Sequence, residues 1–164
     1  MMGYVLAYAG MNEDKHVTFL PSYGAEMRGG TANCTVVVSD EEIASPIASS
    51  PDIVVAMNYP SMVKYQNMIK SGGMLFLNDD LITEQPARTD IKVIRVPANS
   101  LAREMGNDRV LNMVMLGAFT GVSRIVSEKA VIGAVATVLG GKKKLIEINQ
   151  KAETKGSKSV ASKG

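Results

Sequence analysis

The chain has 164 residues, of which 46% are hydrophobic, 21% charged and 5% aromatic, with a net charge of +2. That apolar content excludes a wholly disordered chain, and the longest uncharged run, Val110 to Ser123, is shorter than the roughly 18 residues that a membrane-spanning helix needs. Of the 18 basic and 16 acidic residues, four Lys and one Glu fall from Lys151 onward, so the preceding 150 residues are nearly neutral and carry no concentrated basic footprint for nucleic acid.

In chain order, Met2 to Gly10 (MGYVLAYAG) predicts a helix that is apolar nearly all round and must therefore be buried. Five short runs rich in β-branched and bulky residues predict strands: His16–Leu20, Asn33–Ser39, Asp52–Asn58, Gly73–Asn78 and Lys92–Pro97. Most are continuous rather than alternating, the pattern of strands covered on both faces. Tyr59–Lys70 reads as a helix, with Pro60 in its first turn and Gly72-Gly73 beyond its end. Helices are expected at Ser100–Met105, at Asp108–Ser127 with Val110, Met113, Val114 and Gly117 in one stripe, and at Glu128–Leu139 before Gly140-Gly141. A short amphipathic stretch, Leu145–Lys151, completes the pattern. The expected fold is α/β: a three-layer, open, mainly parallel, Rossmann-like sheet with helices on both faces. Residues 1–150 make one domain, and the lysine-dotted 151–164 is expected to stay solvated and mobile.

Several chemistries are excluded by inspection. There is no C-x-x-C, no G-x-x-x-x-G-K-[ST] and no G-x-G-x-x-G after a strand, so neither thiolate-held clusters nor these phosphate-binding loops can be built. The single cysteine, Cys34, forms no internal disulfide, and no basic segment precedes the apolar N-terminus. A reducing, cytoplasmic setting is expected. Cys34 reads as a small apolar strand residue and His16 as a surface strand end. Asp79-Asp80 reads as a turn, and Gly117-x-x-x-Gly121 as close helix packing.

The segment Pro21–Asn33 (PSYGAEMRGGTAN) is harder to explain as scaffold. It combines Tyr23, Gly24, Glu26, Arg28, Gly29 and Gly30 directly before a strand. Glycines there allow close backbone approach, and Arg28 has the fork geometry to clamp a carboxylate or phosphate. Glu26 and Arg28 lie two apart, so an extended loop projects both the same way. The alternative is a tight turn with solvated charges. Weaker candidates are Asn33, and Asn58, Ser61 and Asn78, which fall beside strand C-termini where open α/β sheets bind ligands. Each of the last three reads equally as a cap or turn residue.

The run PSYGAEMRGGTANCTVVVSDEEIASPI, followed by PDIVVAMNYPSMVKY, GGMLFLND and NDRVLNMVMLGAF, resembles the gamma subunit of 2-oxoacid:ferredoxin oxidoreductases, of the 2-oxoglutarate and branched-chain 2-oxoacid type. The resemblance runs in order from Gly3 to Lys151, with Y-G-x-E-x-R-G-G as its most specific element. It implies a complex that converts a 2-oxoacid, most nearly 2-oxoglutarate, with coenzyme A and oxidised ferredoxin to acyl-CoA, carbon dioxide and reduced ferredoxin. Thiamine diphosphate with Mg and the iron–sulfur clusters are expected in partner alpha, beta and ferredoxin-like delta subunits, and none is bound by this chain alone. The resemblance places Tyr23, Gly24, Glu26, Arg28, Gly29 and Gly30 toward the active site or a subunit interface. No catalytic residue or metal site is expected in this chain, and no nucleic-acid or membrane partner. Family members begin with a strand and a G-x-G-G-Q-G turn, whereas MMGYVLAYAG starts inside the first helix, so either the sheet lacks that strand or an upstream start exists. Two further readings stand beside it: a free-standing phosphate- or nucleotide-binding α/β module using the loop as an anion nest, and a structural or degenerate fragment of the complex.

Overall fold

Continuous apolar runs make three strands, of which the central one is almost wholly buried. A computed structural model describes residues 1–22 and 32–161. In it β3 (Ile53–Ala56), β4 (Met74–Asn78) and β5 (Lys92–Val96) form a parallel sheet in the order β3-β4-β5, with Ile53 opposite Met74 and Met74 opposite Lys92. The alternation of side chains along the central strand divides the core in two. Leu75 and Leu77 pack with Met62, Ile69, Ile82 and Ile91, whereas Phe76 joins a larger cluster built from the other helices. The sheet is thus covered on both sides, and the α/β class stands as expected.

The first two strands behave differently from the other three. β1 (His16–Ser22) and β2 (Asn33–Ser39) pair antiparallel in a sheet of their own, from His16 opposite Ser39 to Ser22 opposite Asn33. The physical reason is the short connection: a parallel crossover needs about a dozen residues or more and usually a helix, and the segment between Ser22 and Asn33 is too short for one. Helix α1 (Met2–Met11) lies on one face of this pair. Its glycines set the distance, because a Cβ on Gly3 would stand 2.5 Å from Cys34 Sγ and one on Gly10 would stand 2.8 Å from Val17 Cγ2.

Helix α2 (Tyr59–Tyr65) runs into a 3-10 turn at Gln66–Met68, and α3 (Ala98–Glu104) follows β5. The expected long helix 108–127 is instead a 3-10 turn, Asp108–Val110, and α4 (Leu111–Ser123), ended by Arg124 in the left-handed region at φ 52°. Helix α5 (Glu128–Leu139) lies as expected, capped by Ser127 and closed by Gly140 at φ 48°.

The C-terminal segment corrects an expectation. Residues 151–161 are not a solvated tail, since α6 runs Lys143–Ala161 and buries Asn149, Ala152, Glu153 and Gly156. Its small residues, which read as linker composition, are a packing stripe. A Cβ on Gly117 of α4 would lie 1.8 Å from the Glu153 carbonyl oxygen, and one on Gly156 would lie 1.8 Å from the Val114 carbonyl oxygen. The Gly117-x-x-x-Gly121 motif therefore is a close helix crossing. Tertiary contact, rather than propensity, stabilises this helix. Lys155 ties α6 to Glu104 of α3 at 2.6 Å, and Gln150 Nε2 donates to the Ile132 carbonyl of α5 at 3.0 Å.

Candidate functional site

Two regions carry the residues singled out from the sequence. The first is the open end of the β1–β2 hairpin. Tyr23, Gly24, Glu26, Arg28, Gly29 and Gly30 lie outside the described residues, but the two ends of their segment are placed. Ser22 and Asn33 form the last pair of the ladder, so Asn33 is where the chain rejoins the ladder. The N-terminal end of α1 sits beside it: Gly3 abuts Cys34, and the Tyr4 ring meets Phe19 edge-on with centroids 5.6 Å apart. Met1, Tyr4 and Leu20 are exposed at this end, an apolar border around the segment's roots. Cys34 is exposed rather than core. Partial burial of its sulfur pushes the thiol pKa up, against the pull of the N-terminal amine and the Gly3 N–H, so little of it is thiolate at neutral pH.

The second region is the C-terminal edge of the parallel sheet. Asn58 takes up its helix-capping role: its Oδ1 accepts from the Ser61 N–H at 3.0 Å, starting α2. Asn58→Ala is expected to destabilise the protein by about 1 kcal/mol, read as a lower urea midpoint at unchanged slope. Asn78 is completely buried. Its Nδ2 donates to Asn99 Oδ1 at 2.7 Å and to the Met57 carbonyl at 3.5 Å, fastening β4 to the end of β3 and the start of α3. Its Oδ1 has no partner among the described residues.

The neighbouring acids are engaged by the scaffold. Asp79 pairs with Arg95 at 2.9 Å, and that guanidinium also donates to the Ile82 and Glu84 carbonyls at 2.7 and 2.6 Å, closing the turn after β4. Asp80 accepts from the Ser100 N–H at 2.8 Å and its hydroxyl at 2.5 Å. Burial works against its ionisation, yet those bonds, the Asn99 N–H and nearby Arg103 hold the carboxyl below its usual range. Both acids are turn and cap residues, and among the described residues no group of three His, Cys, Asp or Glu is placed to hold a metal. His16 is exposed at the start of β1. The structure joins Asn58 to Ser61 and leaves Asn33 on the separate hairpin. Asn99 and Ser100 were missed in the sequence because each reads as an ordinary helix start; the Asp-Asp pair after β4 is the signal for their partner.

A third polar feature had no sequence signal. Glu153 on α6 is fully buried against α4, with Oε1 3.2 Å from Thr120 Oγ1 and Oε2 unpartnered among the described residues. Burial chiefly, with the negative Glu128 nearby, pushes its pKa up to about 7 against the pull of Thr120.

The described residues form an α/β domain of a three-stranded parallel sheet with helices and a separate β1–β2 pair, with polar residues at the sheet edge committed to holding turns. The chain belongs to the pyruvate ferredoxin/flavodoxin oxidoreductase family, whose model matches residues 1–159. The ketoisovalerate oxidoreductase subunit VorA of Methanothermobacter marburgensis is 36% identical over 152 residues, covering 92% of this chain and 31% of that protein. The 2-oxoglutarate synthase subunit KorC of the same organism is 40% identical over 120 residues, covering 70% of this chain and 64% of that one. The chain thus spans about a third of the first relative and under two thirds of the second. Among solved structures, the gamma subunit of a keto/oxoacid ferredoxin oxidoreductase from Geobacter sulfurreducens PCA superposes with a TM-score of 0.84 at 27% identity, covering 98% of this chain and 90% of that one. The resemblance drawn from the sequence is borne out. No helix among the described residues is long and apolar enough to cross a membrane.

Proposed function

We propose that this chain is the gamma component of a cytoplasmic, thiamine-dependent 2-oxoacid:ferredoxin oxidoreductase that acts on 2-oxoglutarate. The observation that carries the reading is the family match over nearly the whole chain, and the KorC relative supports the choice of acid. The chemistry of the donor set agrees. One cysteine cannot hold an iron–sulfur cluster, and the chain has no G-D-G followed by paired asparagines to hold a diphosphate. These residues do not fit thiamine diphosphate or a cluster, so both belong to partner alpha, beta and ferredoxin-like delta subunits, and no redox step runs through this chain. Its part is to complete the assembly and to present Glu26 and Arg28, on the segment rooted at Ser22 and Asn33, toward a partner or toward the approach of coenzyme A and the 2-oxoacid.

The test is reconstitution. The purified chain alone is expected to show no iron–sulfur absorbance and no 2-oxoacid-dependent viologen reduction. Added to its partner subunits with coenzyme A, it is expected to restore reduction with 2-oxoglutarate in preference to pyruvate or 2-oxoisovalerate. Full activity of the partners without this chain contradicts the reading.

A further inference from the structure

We propose that Glu153 is a proton-dependent latch on α6: neutral, it keeps the helix seated on α4, and ionised, it loosens that seat. The inference rests on the geometry of the α4–α6 crossing. The two backbones touch so closely at Gly117 and Gly156 that a single Cβ at either would lie 1.8 Å from the opposing carbonyl oxygen. Glu153 stands at that contact with no exposure to solvent. The backbone has no freedom there to carry the carboxyl out to water without separating the helices.

The hydrogen bonds around the carboxyl give its charged form little support. Thr120 Oγ1 has one proton, and the Leu116 and Gly117 carbonyls lie 3.0 and 3.2 Å from it. That single proton is divided between the helix carbonyls, to which helical threonines commonly donate, and Glu153 Oε1 at 3.2 Å, so Thr120 only partly offsets the cost of burying the charge. Oε2 has no partner among the described residues, and an unpartnered ionised oxygen in an apolar interior is far costlier than a neutral one.

Among the described residues, the cations on the elements packed around Glu153 are exposed or already paired. Helix α4 has no charged residue from Leu111 to Ser123, and Arg124 beyond its end is exposed. Helix α5 contributes Glu128, which is negative and accepts from Thr154, while Lys129 is exposed. From α3, Glu104 is taken by Lys155, and Arg103 pairs with Asp108 of the adjacent 3-10 turn at 3.7 Å; Arg109 of that turn is exposed. On β5, Arg95 is engaged by Asp79 and Lys92 is exposed. The remaining charges of α6, Lys143, Lys144, Glu147, Lys151 and Lys158, are exposed. Glu153 is the buried group through which α6 responds to proton concentration, and the face it uncovers on release includes the buried Val114 and Gly117 of α4.

The sign follows from proton linkage. A carboxyl whose folded pKa lies above its unfolded value contributes stability that is present at low pH and is lost as pH rises through the folded value. The experiment is hydrogen exchange on the full chain, with protection factors for the α6 amides corrected for the intrinsic pH dependence of exchange. In the wild type they are expected to fall about tenfold between pH 6 and pH 8, and in Glu153→Gln to stay flat. A 13C titration of the Glu153 carboxyl in the unmodified protein is independent of how the variant folds, and its midpoint is expected near neutrality. A midpoint in the ordinary glutamate range, or α6 protection equal at both pH values in the wild type, overturns the latch.

Discussion

Gly156→Ala and Gly117→Ala are each expected to lower the melting temperature by about 5–10 °C, the result of about 2–3 kcal/mol lost from a domain of this size. In an isolated helix the same change is favourable by nearly 1 kcal/mol, because alanine propagates a helix better than glycine. Contact at the crossing outweighs that gain: the new methyl would lie 1.8 Å from Val114 O or Glu153 O. These are backbone atoms that cannot rotate aside, so the helices must part and lose packing along their length. Gly121→Ala serves as the internal control. Its Cβ would meet Ser157 Oγ at 2.9 Å, a side-chain atom that can turn away, and Ser157 Cα at 3.3 Å, which a shift of a few tenths of an ångström relieves, and the expected change is within about 1 kcal/mol of zero. Melting curves of the three variants decide the matter, and equal behaviour of Gly121→Ala and Gly156→Ala contradicts the crossing.

The second large effect is expected in the assembled enzyme. Arg28→Ala, on the segment that leaves the hairpin at Ser22 and re-enters at Asn33, is expected to lower kcat/KM of the reconstituted complex by about 30- to 100-fold. That corresponds to the roughly 2–3 kcal/mol of a desolvated, charge-assisted contact. The melting temperature of the isolated chain is expected to stay unchanged. Measuring kcat and KM separately assigns the contact: a rise in KM for coenzyme A points to substrate approach, and loss of activity recovered at high subunit concentration points to an interface. Unchanged turnover and unchanged assembly would remove Arg28 from the functional site.

Much of the fold was legible because burial on both faces writes itself into a strand as an unbroken apolar run. β4, with Leu75, Phe76 and Leu77 entirely buried, is the clearest of this kind, and β3 and β5 flank it half-buried. The antiparallel pairing of β1 and β2 was less visible, since each strand has the same composition as the parallel ones and the distinction lies in a connection too short for a crossover. The helix beyond Lys151 was hidden for a different reason. Glycine, serine and lysine read as a solvated tail, and only the facing Gly117 and Gly121 of α4 turn that composition into a packed surface. The end of α4 likewise depends on Arg124 adopting a left-handed conformation, for which an arginine has no intrinsic preference.

The candidate site divides along the same line. Asn58 was legible as a cap from Asn-Tyr-Pro-Ser, because capping is local chemistry. The burial of Asn78 and its bond to Asn99 was not, since the two lie 21 residues apart and meet only when β4 and α3 are packed. Glu153 had no sequence signal, because its meaning comes from the closeness of a helix that the sequence itself disguises. The Gly-rich segment, conversely, was recognisable by its residues in order, and that order carried the family resemblance.

Subunit membership is tested most directly by tagging the chain in its native host and identifying what co-purifies through size exclusion. The expected result is a stoichiometric complex containing a chain with a thiamine diphosphate motif and a CxxC-rich ferredoxin-like chain, with 2-oxoglutarate-dependent ferredoxin reduction in the same fractions. Recovery of this chain as a lone monomer, with the oxidoreductase activity eluting elsewhere, would contradict the account.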